Sequence, residues 1–199
     1  GWSPVYSPLL HNAPEEVTVN SDLVSLDIMT ERPVVEVDEG IAPTGALVVN
    51  CFPSVGFVSS IVAHYLIEKL ELKLVGGVTH PQLPPMCLVQ DGKPLPPLRF
   101  YAGEPICNLE RCDKVILIVS EVQIENQIKM GLARSLMDWI KESGSGISIM
   151  IDSFAKNNKE GHTILDDDNI DTTILGIGST DVAIKTLEEI GLPLLKHGI

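Results

Sequence analysis

Two short loops carry the residue types that could hold an anion. Phe52-Pro53-Ser54-Val55-Gly56 and Gly178-Ser179-Thr180 each join the end of a β-like run to the start of a helical one. Backbone N–H groups are unsatisfied at such a junction, and open α/β sheets bind ligands at these strand ends. Pro53, Ser54 and Gly56 are the candidate contacts in the first loop. Neither loop runs into Lys-Ser or Lys-Thr, and neither is a G-x-G-x-x-G, so the plainer reading is capping, with the Ser54 hydroxyl accepting an orphan N–H. Glu121 and Gln123 stand just past another apolar run, placed to meet a ligand or a partner. There is no G-x-S-x-G elbow. The five histidines are scattered without an H-E-x-x-H, and His64, inside a helical run, reads as structural. No catalytic residue is assigned.

Metal chemistry finds little purchase. Asp166-Asp167-Asp168 offers hard oxygen ligands but lacks the spacing and closing Glu of a calcium loop, and reads as solvated. Cys107 and Cys112 are separated by four residues with no second pair to complete a zinc site, so reduced thiols are the better account. Cys51 and Cys87 lie in apolar runs and read as small core residues. The expectation is that no cofactor and no metal is needed.

The elements that must position these residues alternate between strand and helix. Residues 1–22, with three prolines and little periodicity, read as a flexible or linker-like arm; residues 23–199 read as one α/β domain. Leu23–Ile28 and Val34–Asp38 are short β-like stretches, the second alternating Val35 and Val37 with Glu36 and Asp38. The continuous run Ala46–Cys51 suits a strand covered on both faces. Val55, Val58, Val62, Tyr65, Leu66 and Leu70 then mark one helical face, before Leu72–Val78 returns as a strand parallel to the first. Residues 81–97 hold six of the fourteen prolines. Cys87–Gln90, the turn pair Asp91-Gly92, and Leu98–Tyr101 predict a hairpin confined to an edge or a separate arm. Prolines preset the shape of a loop, which makes Pro84, Pro85 and Met86 candidate partner contacts. Val115–Val119 and Ile147–Ile151 are further strands around a helix carrying Ile128, Leu132, Leu136, Trp139 and Ile140, stopped near Gly144. Thr172–Ile177 predicts a last strand, and Ser179 or Thr180 caps a last helix ended by Gly191 and Pro193. The class is α/β: a largely parallel central sheet flanked by helices, with an added antiparallel hairpin.

The charge narrows the partners. The chain has 27 acids against 14 bases, a formal net charge of -13. Nucleic acid and anionic membranes both need a basic footprint, so neither is expected to bind. Eight acids between residues 15 and 39 stand against a single base, Arg32, and read as a solvated face or tail, the sharper reading being a docking strip for a basic partner. No charged-then-apolar leader opens the sequence and no run approaches the roughly 20 apolar residues that span a bilayer, so a cytoplasmic location is expected.

Leu47–Gly56 leading into Val62-Ala63-His64-Tyr65-Leu66, then Pro84-Pro85-Met86, Asp91-Gly92-Lys93-Pro94, Arg99-Phe100-Tyr101, Val115–Gln123 and Leu132–Ile147 follow one another in a characteristic order. In that order and spacing, the stretch from about 46 to 191 resembles the proteasome assembly chaperone 2 family, especially its archaeal homologues. The resemblance implies a fold similar to nucleoside phosphorylases and a non-enzymatic protein that forms homo-oligomers and binds other proteins, proteasome α subunits among them. Ser59 stands where this family commonly has a glycine. The family often ends in a hydrophobic-Tyr-X tail. This chain ends Lys196-His197-Gly198-Ile199, and is expected to be truncated or to come from a branch without the tail. The alternative is a nucleotide- or nucleoside-binding protein, or a nucleoside phosphorylase-like enzyme, using the strand-end cleft. Phosphate would then sit near Ser54 and Gly56, and Glu121 or Asp152 would contact base or ribose. Phosphorolysis would also need a cation for the phosphate, and these loops hold neither Arg nor Lys.

Overall fold

The structure, a computed structural model, describes residues 32–38, 40–104, 114–154 and 174–196. The arm, the Leu23–Ile28 stretch, Cys107, Cys112 and Asp166–Asp168 lie outside the described residues. The chain divides into two compact units, Gly1–Phe154 and Ala155–Ile199.

The first unit is built on six strands. They are β1 (Val34–Val37), β2 (Leu47–Cys51), β3 (Lys73–Thr79), β6 (Leu98–Gly103), β7 (Val115–Ser120) and β8 (Ile147–Ile151), in the order β1-β3-β6-β7-β2-β8. β7, β2 and β8 pair in parallel, whereas β1–β3, β3–β6 and β6–β7 are antiparallel. Four of the six strands therefore run one way, with β1 and β6 reversed. β2 and β3 do share a direction, as the crossover through α1 (Val58–Lys69) requires, but β7 and β6 lie between them. Gly76 lets β1 close on β3: a Cβ there would come within 2.1 Å of the Glu36 carbonyl oxygen.

The hairpin is real but smaller than its sequence suggests. Leu88–Gln90 (β4) pairs with Lys93–Leu95 (β5), not with Leu98–Tyr101, and turns through Asp91 and Gly92 at φ 52° and 74°. Both residues are left-handed, as a two-residue hairpin turn demands. Pro96 and Pro97 end the arm, and proline-free Leu98–Gly103 is released into the centre of the large sheet as β6. Cys87 precedes β4 on this arm and is exposed, so its reading as core is corrected; Cys51 is buried.

Side-chain alternation along the strands divides the core in two. Val48, Ile116, Ile118, Leu98 and Phe100 face α2 (Asn126–Glu142) and its Ile128, Leu132, Leu136 and Ile140, the face expected from the sequence. Trp139 meets Phe100 edge to face at 5.0 Å. Gly144, at φ 69°, closes the helix by donating to the Lys141 carbonyl. The opposite core holds Val49, Cys51, Tyr101, Leu117 and Val119, with α1 packed over it.

α1 corrects its predicted face. Ser59, Ala63, Leu66, Ile67 and Leu70 turn toward the sheet, while Val55, Val58 and Tyr65 are exposed. The helix is apolar on both sides, so its periodicity does not distinguish them. The small residues Ser59 and Ala63 allow the close approach to the strands, and both are fully buried.

In the second unit, α3 (Asp181–Glu189) is capped by Thr180, whose hydroxyl accepts from the Ala183 N–H at 3.1 Å. The expected strand appears among the described residues only as an isolated parallel bridge, Gly176 to Leu194. Gly191, at φ 76°, follows the helix end. No helix among the described residues is long and apolar enough to cross a membrane.

Candidate functional site

The parallel strands β2, β7 and β8 deliver the first loop, Glu121 and Asp152 to the same end of the sheet, with α1 starting among them. Between Ser54 and α1 the chain makes one 3-10 turn, Val55–Phe57, with Gly56 at φ 66° and Phe57 at φ 57°. That turn displaces the cap: Ser54 Oγ accepts from the N–H of Ser59, 3.1 Å away. The capping expectation thus holds with a longer reach. The Ser54 and Ser59 hydroxyls are 2.9 Å apart, and Ser59 Oγ lies 2.7 Å from the Ile151 carbonyl oxygen at the end of β8. Each hydroxyl has one proton. The carbonyl can only accept, so Ser59 donates to it and Ser54 donates to Ser59. Ser153 Oγ closes the other side by donating to the Val55 carbonyl. Ser54 is therefore engaged as donor and acceptor inside the protein, and Gly56 has open space around it.

Glu121 is the hub of the second cluster. Its Oε1 accepts from Arg99 Nη2 at 2.6 Å and sits 3.1 Å from His64 Nε2 on α1. Arg99 is fully buried; Nε donates to the Tyr101 hydroxyl and Nη1 to the Pro96 carbonyl, each at 3.1 Å. All three arms of the guanidinium are engaged, and its carbon lies 5.8 Å from the Tyr101 ring centre. Glu121 Oε2 is buried without a hydrogen-bond partner among the described residues. Concentrating both donors on one oxygen offsets that cost through charge-assisted bonds, which are about twice as strong as neutral ones.

The structure gathers some candidates and separates others. Ser54 and Glu121 are both tied to α1, through Ser59 and His64, about 7.5 Å apart along the helix axis. Pro53 belongs to the same loop. Gln123 is exposed between buried Val122 and Ile124. Among the described residues, no hydrogen bond or ion pair joins Pro84, Pro85 or Met86 to Ser54 or Glu121. Leu83 instead anchors that segment to the core on the α2 side. A cavity of about 420 Å³ opens near Lys73, Ala102, Glu104 and Lys114, toward the start of β7 rather than its end. Another, of about 320 Å³, lies beside Arg32, Thr79 and His80.

Sequence reasoning missed Arg99 as a site component because it sits mid-strand in an apolar run, where a lone Arg gives no sign of its partner. It also missed Ser59 and Asn50. Asn50 Nδ2 donates to the Ser148 hydroxyl and the Ile149 carbonyl, both at 3.0 Å, bracing β2 against β8. A polar residue inside an all-apolar strand was the available signal. Burial pushes the Cys51 thiol up to about 11, which removes it as a nucleophile near neutral pH. Among the described residues, no cluster of three His, Cys, Asp or Glu could hold a metal ion.

Solved structures of similar shape come from archaea. Pyrococcus furiosus PbaA, an archaeal homolog of proteasome-assembly chaperone, is 24% identical with a TM-score of 0.68, over 84% of this chain and 62% of that one. The chain thus spans less than two thirds of that homologue's length. Pyrococcus furiosus PbaB, an archaeal proteasome activator, is 13% identical with a TM-score of 0.62, over 84% of this chain and 68% of that one. A Thermoplasma acidophilum protein of unknown function is 16% identical with a TM-score of 0.57, over 95% of this chain and 66% of that one. At these identities the likeness establishes the fold. No curated protein matches the sequence. The PAC2 family matches residues 48–198, through the strand-end loop, the hairpin and both long helices, and the chain belongs to the PAC2 family.

Proposed function

We propose that this chain is a non-enzymatic, proteasome-assembly-chaperone-like protein of the cytoplasm that self-associates and binds other proteins, with proteasome α subunits as the expected partners. The observation that carries this reading is the commitment of the strand-end residues to the fold itself. Ser54, Ser59 and Arg99 spend their donors on neighbouring elements, so the place where an α/β enzyme would hold phosphate has its hydroxyl and its buried cation engaged. The family membership and the archaeal structural neighbours support the same direction. The net charge of -13 disfavours nucleic acid and anionic membranes as partners. A nucleoside-binding or phosphorylase-like role beside Pro53 and Gly56 would need Ser54 and Glu121 to release these bonds first.

Size-exclusion chromatography with light scattering, with and without proteasome α subunits, tests the proposal. The expected result is a homo-oligomer whose mass shifts when the subunits are added. A protomer that ignores them would overturn it, and phosphorolysis of a nucleoside would replace it with the enzymatic reading.

A further inference from the structure

Along α1, Val58, Ile61 and Tyr65 recur at spacings of three and four, on the side opposite Ser59, Ala63, Leu66 and Leu70. Val55 and Phe57 extend this stripe into the preceding turn. Ile61 is 65% exposed, Tyr65 62% and Phe57 74%, so an apolar helix face points away from the core of the first unit. Phe57 is held at φ 57°, a left-handed conformation that costs a side-chain-bearing residue roughly 1 kcal/mol. The backbone bears that cost to present a phenyl ring to the outside.

The charge distribution says what fits there. Residues 41–67 contain no Asp, Glu, Lys or Arg, in a chain of net charge -13. A basic partner would be drawn to the acidic surfaces and repelled by nothing else, whereas an uncharged apolar face gives it no electrostatic reason to settle here. A second copy carries the same negative excess and can approach closely only where that excess is absent. Depletion of charge together with exposed aromatic residues is the composition of an interface centre. Five side chains of this size, two of them aromatic, present on the order of 500 Å², and two such faces reach the roughly 1,000 Å² at which contacts become specific.

We propose that the outer face of α1, from Val55 to Tyr65, is where a second copy of this chain docks, its α1 packing antiparallel against the first across a two-fold axis. Closed two-fold pairing uses the same patch on both copies, and a single apolar stripe satisfies that requirement. This deepens the self-association proposed above and rests on it.

The test is Ile61→Glu in the full chain, weighed by light scattering across a concentration series, with circular dichroism as a check on folding. Burying two glutamates against each other should weaken association at least about 100-fold, leaving protomers where the unaltered chain is oligomeric. Ile61→Ala, which adds no charge at this exposed position, should weaken it about tenfold and serves if the glutamate variant does not fold. An unaltered chain that stays monomeric at every concentration overturns self-association and this interface together. An oligomer whose mass neither variant changes overturns the interface and leaves self-association standing. A variant that keeps its oligomeric mass but loses proteasome α subunits assigns the face to that partner and overturns docking of a second copy.

Discussion

Replacing Glu121 by Ala removes the carboxylate that, among the described residues, is bonded to the fully buried Arg99 guanidinium. Arg99 keeps its bonds to the Tyr101 hydroxyl and the Pro96 carbonyl, but loses the 2.6 Å contact that balances its charge. Breaking one side of a buried ion pair costs about 3–5 kcal/mol. The Glu121 side chain is 23% exposed, so water reaches the vacated position and lowers the expected cost to about 2–4 kcal/mol. For a chain of this length that is a fall in melting temperature of roughly 6–12 °C. The assay is equilibrium unfolding in urea at neutral pH, followed by far-UV circular dichroism. Adding Arg99→Met removes the stranded charge. The double variant should therefore be more stable than the sum of the two single losses by about 2 kcal/mol, a coupling that only direct neighbours show. His64→Ala, which withdraws an exposed partner from the same oxygen, should cost less than about 1 kcal/mol. A Glu121→Ala variant within about 0.5 kcal/mol of the unaltered chain, or additive losses in the cycle, would refute the hub.

Ser59→Ala leaves the Ile151 carbonyl and the Ser54 hydroxyl without their shared partner; the expected loss in the same unfolding assay is about 1–3 kcal/mol, and an unchanged midpoint would refute the clip between α1 and β8. Raising the Cys51 thiol from about 9 to about 11 means the folded chain keeps a proton that the unfolded chain gives up. Its contribution is complete below about pH 9 and is lost as the pH rises toward 11, a fall of roughly 2–3 kcal/mol. Unfolding at pH 8 and 10.5 should show this extra loss in the unaltered chain and not in Cys51→Ala; identical slopes would refute it. Phe57→Gly relieves the left-handed strain while deleting a ring that packs little in the protomer, and should raise protomer stability by about 0.5–1 kcal/mol. A loss of stability would show that the ring packs within the fold.

Much of the architecture follows from local rules that the sequence states openly. The predominantly apolar runs at Leu47–Cys51 and Val115–Ser120 suit strands covered on both faces, and they are neighbours in the interior of the sheet. The spacing of Ile128, Leu132, Leu136 and Ile140 marks the face that α2 buries, because most of its other positions are polar or small, Met130 and Met137 being the exposed apolar exceptions. Asp91-Gly92, Gly144 and Thr180 each satisfy a backbone requirement that few residues meet, so turn and caps were legible in place. What the sequence could not decide is which of two equivalent choices the core accepts. α1 is apolar on both sides, and the side that packs was selected by the fit of Ser59 and Ala63 against the strands, leaving Val58, Ile61 and Tyr65 outside. Leu98–Gly103 reads equally well as a hairpin edge or a central strand, and only its pairing to both β3 and β7 placed it inside. Arg99 and Glu121 are 22 residues apart, and nothing local to either one announces the other. Local propensity and periodicity are properties of a few consecutive residues. Helix face, strand order and buried charge pairs depend on which distant segments the folded chain brings into contact.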